Sequence, residues 1–93
     1  METKKRPVLV TTEHRGVFFG YVEGRADDKA KIVLLDCRCA IYWTGKLGYL
    51  GLASHGPEAG SRIGSAAPRV LLHDITSVSE VTPEAEKVWR EWP

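Results

Sequence analysis

Apolar residues recur along this chain at two spacings. From Lys31 to Trp43 (KIVLLDCRCAIYW) the odd positions Val33, Leu35, Cys37, Cys39, Ile41 and Trp43 are all apolar, while the even positions mix Ile32, Leu34 and Ala40 with Asp36, Arg38 and Tyr42. Side chains alternate sides along a strand, so the odd set lines one continuous face. The run exceeds the usual strand length, which favours a bend near Asp36 to Arg38. Two shorter β-patterned runs precede it: Pro7 to Thr12 (PVLVTT) and Val17 to Glu23 (VFFGYVE). Pro7 suits the first position of a strand. Glu13-His14-Arg15-Gly16 joins the two as a turn, with Gly16 able to supply the positive φ of a hairpin loop. Gly20 in mid-strand marks a bulge, a bend or a close backbone approach. Gly24 to Ala30 is a polar loop. Late in the chain, Pro68 to His73 (PRVLLH) reads as a strand, and Asp74 to Val81 (DITSVSEV) has the mixed patterning of an edge or intersubunit strand.

The period changes at Thr82. Thr82 can cap a helix, Pro83 fits the first helical position, and Glu84 lies by the positive end. Ala85, Val88, Trp89 and Trp92 then follow the i, i+3, i+4, i+7 pattern, which predicts an amphipathic helix over residues 83–92. So short a helix is marginal alone, and its tryptophan stripe must dock on the domain's own sheet, a second subunit or a host protein. Val88, Trp89 and Trp92 are therefore the candidate protein-interface residues. Residues 45–64 hold six of the nine glycines. A helix there would lose about 1 kcal/mol per glycine relative to alanine, so the segment reads as an ordered loop with a short strand near Tyr49 to Ala53.

These elements predict a single domain over residues 1–93: a flexible N-terminus at 1–6, a β-rich body at 7–81 and one C-terminal helix at 83–92. The fold class is mainly β, a small, strongly bent antiparallel sheet or an SH3/Sm-like barrel with one C-terminal amphipathic helix. The strand order resembles SH3-like and Sm-like barrels, although the helix comes last here and usually first in Sm-like proteins. The phrases VLVTTEHRGVFFGYV, IYW, GYLGLASHGP, SRIG and HDITSVSEVTPEA resemble a family of small uncharacterised phage and prophage proteins, from about Val8 to Trp92. That resemblance implies a phage accessory role, such as countering a host defence, in the cytoplasm of an infected bacterium. It brings no catalytic residues with it.

Thirteen Lys and Arg against twelve Asp and Glu leave a net charge of +1, which argues against a strongly basic nucleic-acid binder but not against a local patch. The basic Lys4-Lys5-Arg6 start lacks the apolar run of a signal peptide, and no apolar stretch reaches membrane-spanning length; the expectation is a cytoplasmic chain with no membrane partner. Cys37 and Cys39 stand two apart, about 7 Å along a strand, so they read as reduced, buried thiols and not as a disulfide. A lone CxC also lacks the further ligands that zinc needs, and the histidines His14, His55 and His73 show no metal spacing. No metal and no cofactor are expected.

For an enzyme, Ser54-His55 is adjacent in sequence but adjacency is not triad geometry, and Asp36 and Asp74 equally suit turn hydrogen bonds or pairing with Arg38 and Arg69. No G-x-S-x-G elbow occurs. The expectation is a non-enzymatic protein. The loop GPEAGSRIG (56–64) lacks the P-loop and dinucleotide patterns. Its amides, the Ser61 hydroxyl and the Arg62 guanidinium could still meet an anion, with Arg62 aimed into a recess. Trp43, Tyr49, His55, Ser61 and Arg62 are the candidate ligand-binding residues. The leading reading is a homo-oligomeric binding protein for a host protein or a small phosphorylated ligand. The alternatives are a nucleic-acid-binding barrel, with Lys46, Arg62 and Arg69 interleaved among Tyr42, Trp43 and Tyr49, and a structural phage component.

Overall fold

The computed structural model describes residues 5–13, 16–23, 31–44 and 46–93. The elements run β1 (Lys5–Thr12), β2 (Val17–Glu23), β3 (Lys31–Tyr42), α1 (Gly48–Ser54), β4 (Arg62–Ile63), β5 (Ala67–His73), β6 (Ile75–Glu80) and α2 (Pro83–Glu91). β1 and β2 form the expected antiparallel hairpin, in register from Lys5↔Glu23 to Thr11↔Val17. Lys5 and Arg6, expected to be loose, belong to β1. His14 and Arg15 of the turn, and the loop expected over Gly24 to Ala30, lie outside the described residues. Gly16 is not at positive φ. It is needed for space: a Cβ there would sit 2.5 Å from Phe18 Cε1 and 2.7 Å from Thr12 Oγ1.

β3 is the strand the sheet is built on. It pairs with β2 along one side and with β5, then β4, along the other. Its bend is at Asp36, which takes φ 50°. Phe19 faces Arg38 and Tyr21 faces Leu35, so β3 carries one residue more than β2 across this step, a bulge. Gly20 lies opposite it, where a Cβ would come 2.8 Å from Leu34 Cβ. The extra residue reverses the alternation. Ile32 and Leu34 are buried on one face; past Asp36, Cys37 takes that face and Ala40 the other. The continuous odd-numbered apolar face expected of this run is therefore broken: Ile41 is 61% exposed, while Leu34 is fully buried.

The strand path is β4-β3-β2-β1-β6, with β5 branching onto β3. Among the described residues no pairing joins β6 to β4 or β5. Among the described residues this is a mixed α/β fold with an open sheet and two helices. It corrects the expectation of a mainly β fold, whether a small, strongly bent antiparallel sheet or an SH3/Sm-like barrel, with one C-terminal helix. The β5-to-β6 link is one residue, Asp74, at φ 55°.

The second helix is α1, in the glycine-rich segment where a loop and short strand were expected. Tertiary contacts override its poor propensity. Leu52 and Ala53 are buried, and the Trp89 indole N–H donates to the Leu52 carbonyl at 3.0 Å. Gly56, at φ 88°, ends it against α2, where a Cβ would lie 2.8 Å from Val88 Cβ. Thr82 ties the two helices together. Its hydroxyl accepts from Ala85 N–H at 3.1 Å and donates to the Ser54 carbonyl at 2.8 Å, while its N–H donates to the Ala53 carbonyl at 3.0 Å.

Two apolar clusters result. Leu9, Phe19, Ala40, Ile63 and Val81 meet Leu52, Ala85 and Trp89 from the helices. Val8, Val10, Val22, Ile32, Leu34, Cys37 and Leu72 form the other, with Ile75 and Val78 of β6 packed against it. The Phe19 and Trp89 rings stack at 5.3 Å and 3°.

Candidate functional site

Arg38 follows the bulge by two residues, and the reversed alternation turns it toward α2. It is only 8% exposed. Its Nε donates to the Gly64 carbonyl at 2.7 Å, and Nη1 donates to the Trp89 and Trp92 carbonyls at 2.8 and 2.7 Å. The latter two lie at the C-terminal end of α2, where backbone carbonyls lack helical partners and a cation is favoured. Nη2 has no hydrogen bond among the described residues.

Arg38 is also one of the residues that line a cleft of about 310 Å³, with Phe19, Tyr21, Asp36, Ala66 and Arg90. Phe19 and Tyr21, which meet edge-on at 5.5 Å, supply the aromatic wall. The Tyr21 hydroxyl donates to Glu86 Oε2 at 2.7 Å. Burial first, then Glu86, pushes the phenol up to about 12, so it stays a neutral donor at physiological pH. Asp36 and Arg90 are exposed. Asp36 is held in the left-handed region, a conformation that persists where the surroundings over-determine it. The cleft thus combines an apolar wall with two guanidinium groups and one carboxylate. Cys37 lies in the other cluster, its thiol pushed up to about 11 by burial and by Cys39; burial raises Cys39 too.

The five candidate ligand residues are not gathered into this cleft. Trp43 is half-buried against the helix-side cluster. The Tyr49 hydroxyl is 3.3 Å from Ser77 Oγ, itself 2.6 Å from Thr11 Oγ1. His55 Nδ1 lies 3.2 Å from Glu84 Oε2 on the surface. The Ser61 hydroxyl accepts from Thr44 N–H at 3.0 Å. Arg62 is exposed on β4 opposite Tyr42 and is not among the residues that line this cleft. Of the interface candidates, Trp89 is fully buried within its own chain. Val88 packs on Gly56, and Trp92 is half-buried with its carbonyl on Arg38. The sequence alone offers Arg38 only as a possible partner for a nearby aspartate. Its signal was a lone guanidinium between two cysteines in an apolar run.

The fold and the cleft define a small mixed α/β protein with an arginine-lined recess between a β-bulge and a helix end. A family model described as a domain of unknown function (DUF6948) matches residues 5–89, and the chain belongs to that family. No curated protein and no solved structure matches it. Among the described residues no helix is long and apolar enough to cross a membrane.

Proposed function

We propose that this chain is a non-enzymatic binding protein that holds a small ligand in the cleft between the β3 bulge and α2. The observation that carries the reading is the cleft itself. Its aromatic wall and few convergent polar groups are the composition of ligand sites, and its volume lies at their lower end, roughly 300 Å³. A recess of this kind favours a small molecule over a host protein as the occupant. Ile41, Tyr42, Leu47 and Leu50, each 59–68% exposed, support a homo-oligomer that covers them. The resemblance to phage and prophage proteins supports an accessory role in the cytoplasm of an infected bacterium, where sequestering the ligand would counter a host defence. Native mass spectrometry of protein purified from host extract tests this. A retained small molecule displaced by substitutions at the cleft is the expected result. A ligand-free chain that extract metabolites never stabilise would sink the reading.

Nucleic-acid binding is the second reading. It is favoured by the exposed Lys46, Arg62 and Arg69 and by Tyr42, exposed opposite Arg62. Oligonucleotide affinity would then fall steeply with salt; no binding at low salt removes this alternative.

A further inference from the structure

We propose that the ligand of this cleft carries a carboxylate or phosphate group, received jointly by the Nη2 edge of Arg38 and the guanidinium of Arg90, with its body against Phe19. The inference rests on the cleft being the binding site and adds the chemistry of its occupant. Arg38 is nearly buried, yet among the described residues its hydrogen-bond partners are carbonyls: Gly64, Trp89 and Trp92. Buried charges are normally paired with an opposite charge. No carboxylate bonds this one among the described residues. Three carbonyls engage Nε and Nη1 and so fix the plane of the group. Among the described residues the Nη2 N–H pair makes no hydrogen bond, and a guanidinium held in a fixed plane in the lining of a cleft suits an oxyanion. Arg90 brings the second positive charge to the same lining.

Among the described residues, Glu86 accepts the Tyr21 hydroxyl and keeps its negative charge. Asp36 lines the cleft beside both arginines. Its carboxylate opposes a bare anion and favours a ligand whose anionic group is flanked by a hydroxyl or amine donor.

The test is a titration of ¹⁵N-labelled protein with phenyl phosphate, benzoate and neutral phenol, following backbone amides and arginine Nε–H signals. The first two probes separate phosphate from carboxylate. Saturable shifts at Arg38 Nε–H and at the Asp36 and Ala66 amides are expected with one or both anions and not with phenol. Arg90→Gln, at an exposed position, should weaken that binding about tenfold, the loss of one charge-assisted contact. Asp36→Asn should strengthen it, since asparagine also tolerates the left-handed backbone. No saturable shift with either anion, an equal response to phenol, or an Arg90→Gln variant of unchanged affinity would overturn the proposal. A neutral molecule from host extract that shifts the same resonances would overturn the oxyanion alone and leave the binding cleft standing. If neither probe nor extract ligand touches the cleft, both fall.

Discussion

Replacing Arg38 by Met keeps a long apolar stem and removes the guanidinium. Hydrogen bonds at 2.7, 2.8 and 2.7 Å disappear with it. Bonds to charged groups are worth roughly 1.5–3 kcal/mol each, but burying the cation itself costs several kcal/mol, and that cost is removed too. What decides the balance is the fate of the carbonyls. The bonds to Gly64 and Trp92 are part-buried, so water can replace the lost donor; the one to Trp89 is buried. One orphaned carbonyl, the lost anchoring of the last turn of α2 and imperfect filling by Met give a net loss of about 2–4 kcal/mol. A chain of this size is stable by roughly 5–14 kcal/mol, so the change is large. Urea unfolding should show a midpoint lower by about 1–3 M at unchanged slope. Arg38→Lys should recover only part of it, because an ammonium cannot reach the Gly64 carbonyl and the two carbonyls at the end of α2 as a planar guanidinium does. A Met variant as stable as the parent would refute the anchoring role and leave Arg38 to be explained by ligand binding alone.

Trp89→Ala should cost about 3–5 kcal/mol in unfolding experiments, as expected for a fully buried tryptophan, with the sedimentation mass unchanged; a lower mass at full protomer stability would restore an intersubunit role. Cys37, whose thiol is pushed up to about 11, should resist thiol reagents at pH 8 in the native state and react at once in urea. The unfolded thiol releases its proton near pH 9 and the folded one only near 11, so stability is full below 9 and falls as pH rises through that window; Cys37→Val should flatten the fall. Tyr21, raised from 10.0 to about 12, acts in the same direction at still higher pH. At the β5–β6 corner, Asp74→Gly should be nearly neutral in a thermal melt, whereas Asp74→Val should cost about 1–2 kcal/mol because φ is 55° there.

What could be read from the sequence was what local chemistry decides. The β1–β2 hairpin, the bend in β3 and the capped start of α2 follow from residues within a few positions of each other. Gly20 was legible as the mark of a bulge, a bend or a close backbone approach, and it lies opposite the bulge in close contact with Leu34. α1 was not legible. Gly48 and Gly51 argue against a helix, and the compensating contacts come from Trp89 and Thr82, far along the chain. The closed barrel failed for a related reason: strand order fixes neighbours, but whether the two ends of a sheet pair is a long-range outcome with no local signature. The cleft was missed because its residues come from β2, β3, the segment before β5 and α2, none of which carries a motif.

The bulge at Asp36 joins these points, because it explains how an alternation that looks wrong can be right. In an unbroken strand, Arg38 would share a face with Ile32 and Leu34 and enter the cluster of Val8, Val10 and Val22, whose side chains offer it no acceptor. Burying a guanidinium there would cost several kcal/mol without return. Cys37 would meanwhile face the helices, leaving the end of α2 without its cation. One inserted residue exchanges both. The thiol enters the apolar cluster, where burial keeps it protonated, and the guanidinium reaches carbonyls that a helix end leaves unsatisfied. Gly20 makes room for Leu34 opposite the insertion, so the sheet closes around it. The same insertion places Asp36 and Arg38 on one lining with Phe19 and Tyr21. The irregularity that lets this strand fold is therefore also the one that creates the cleft.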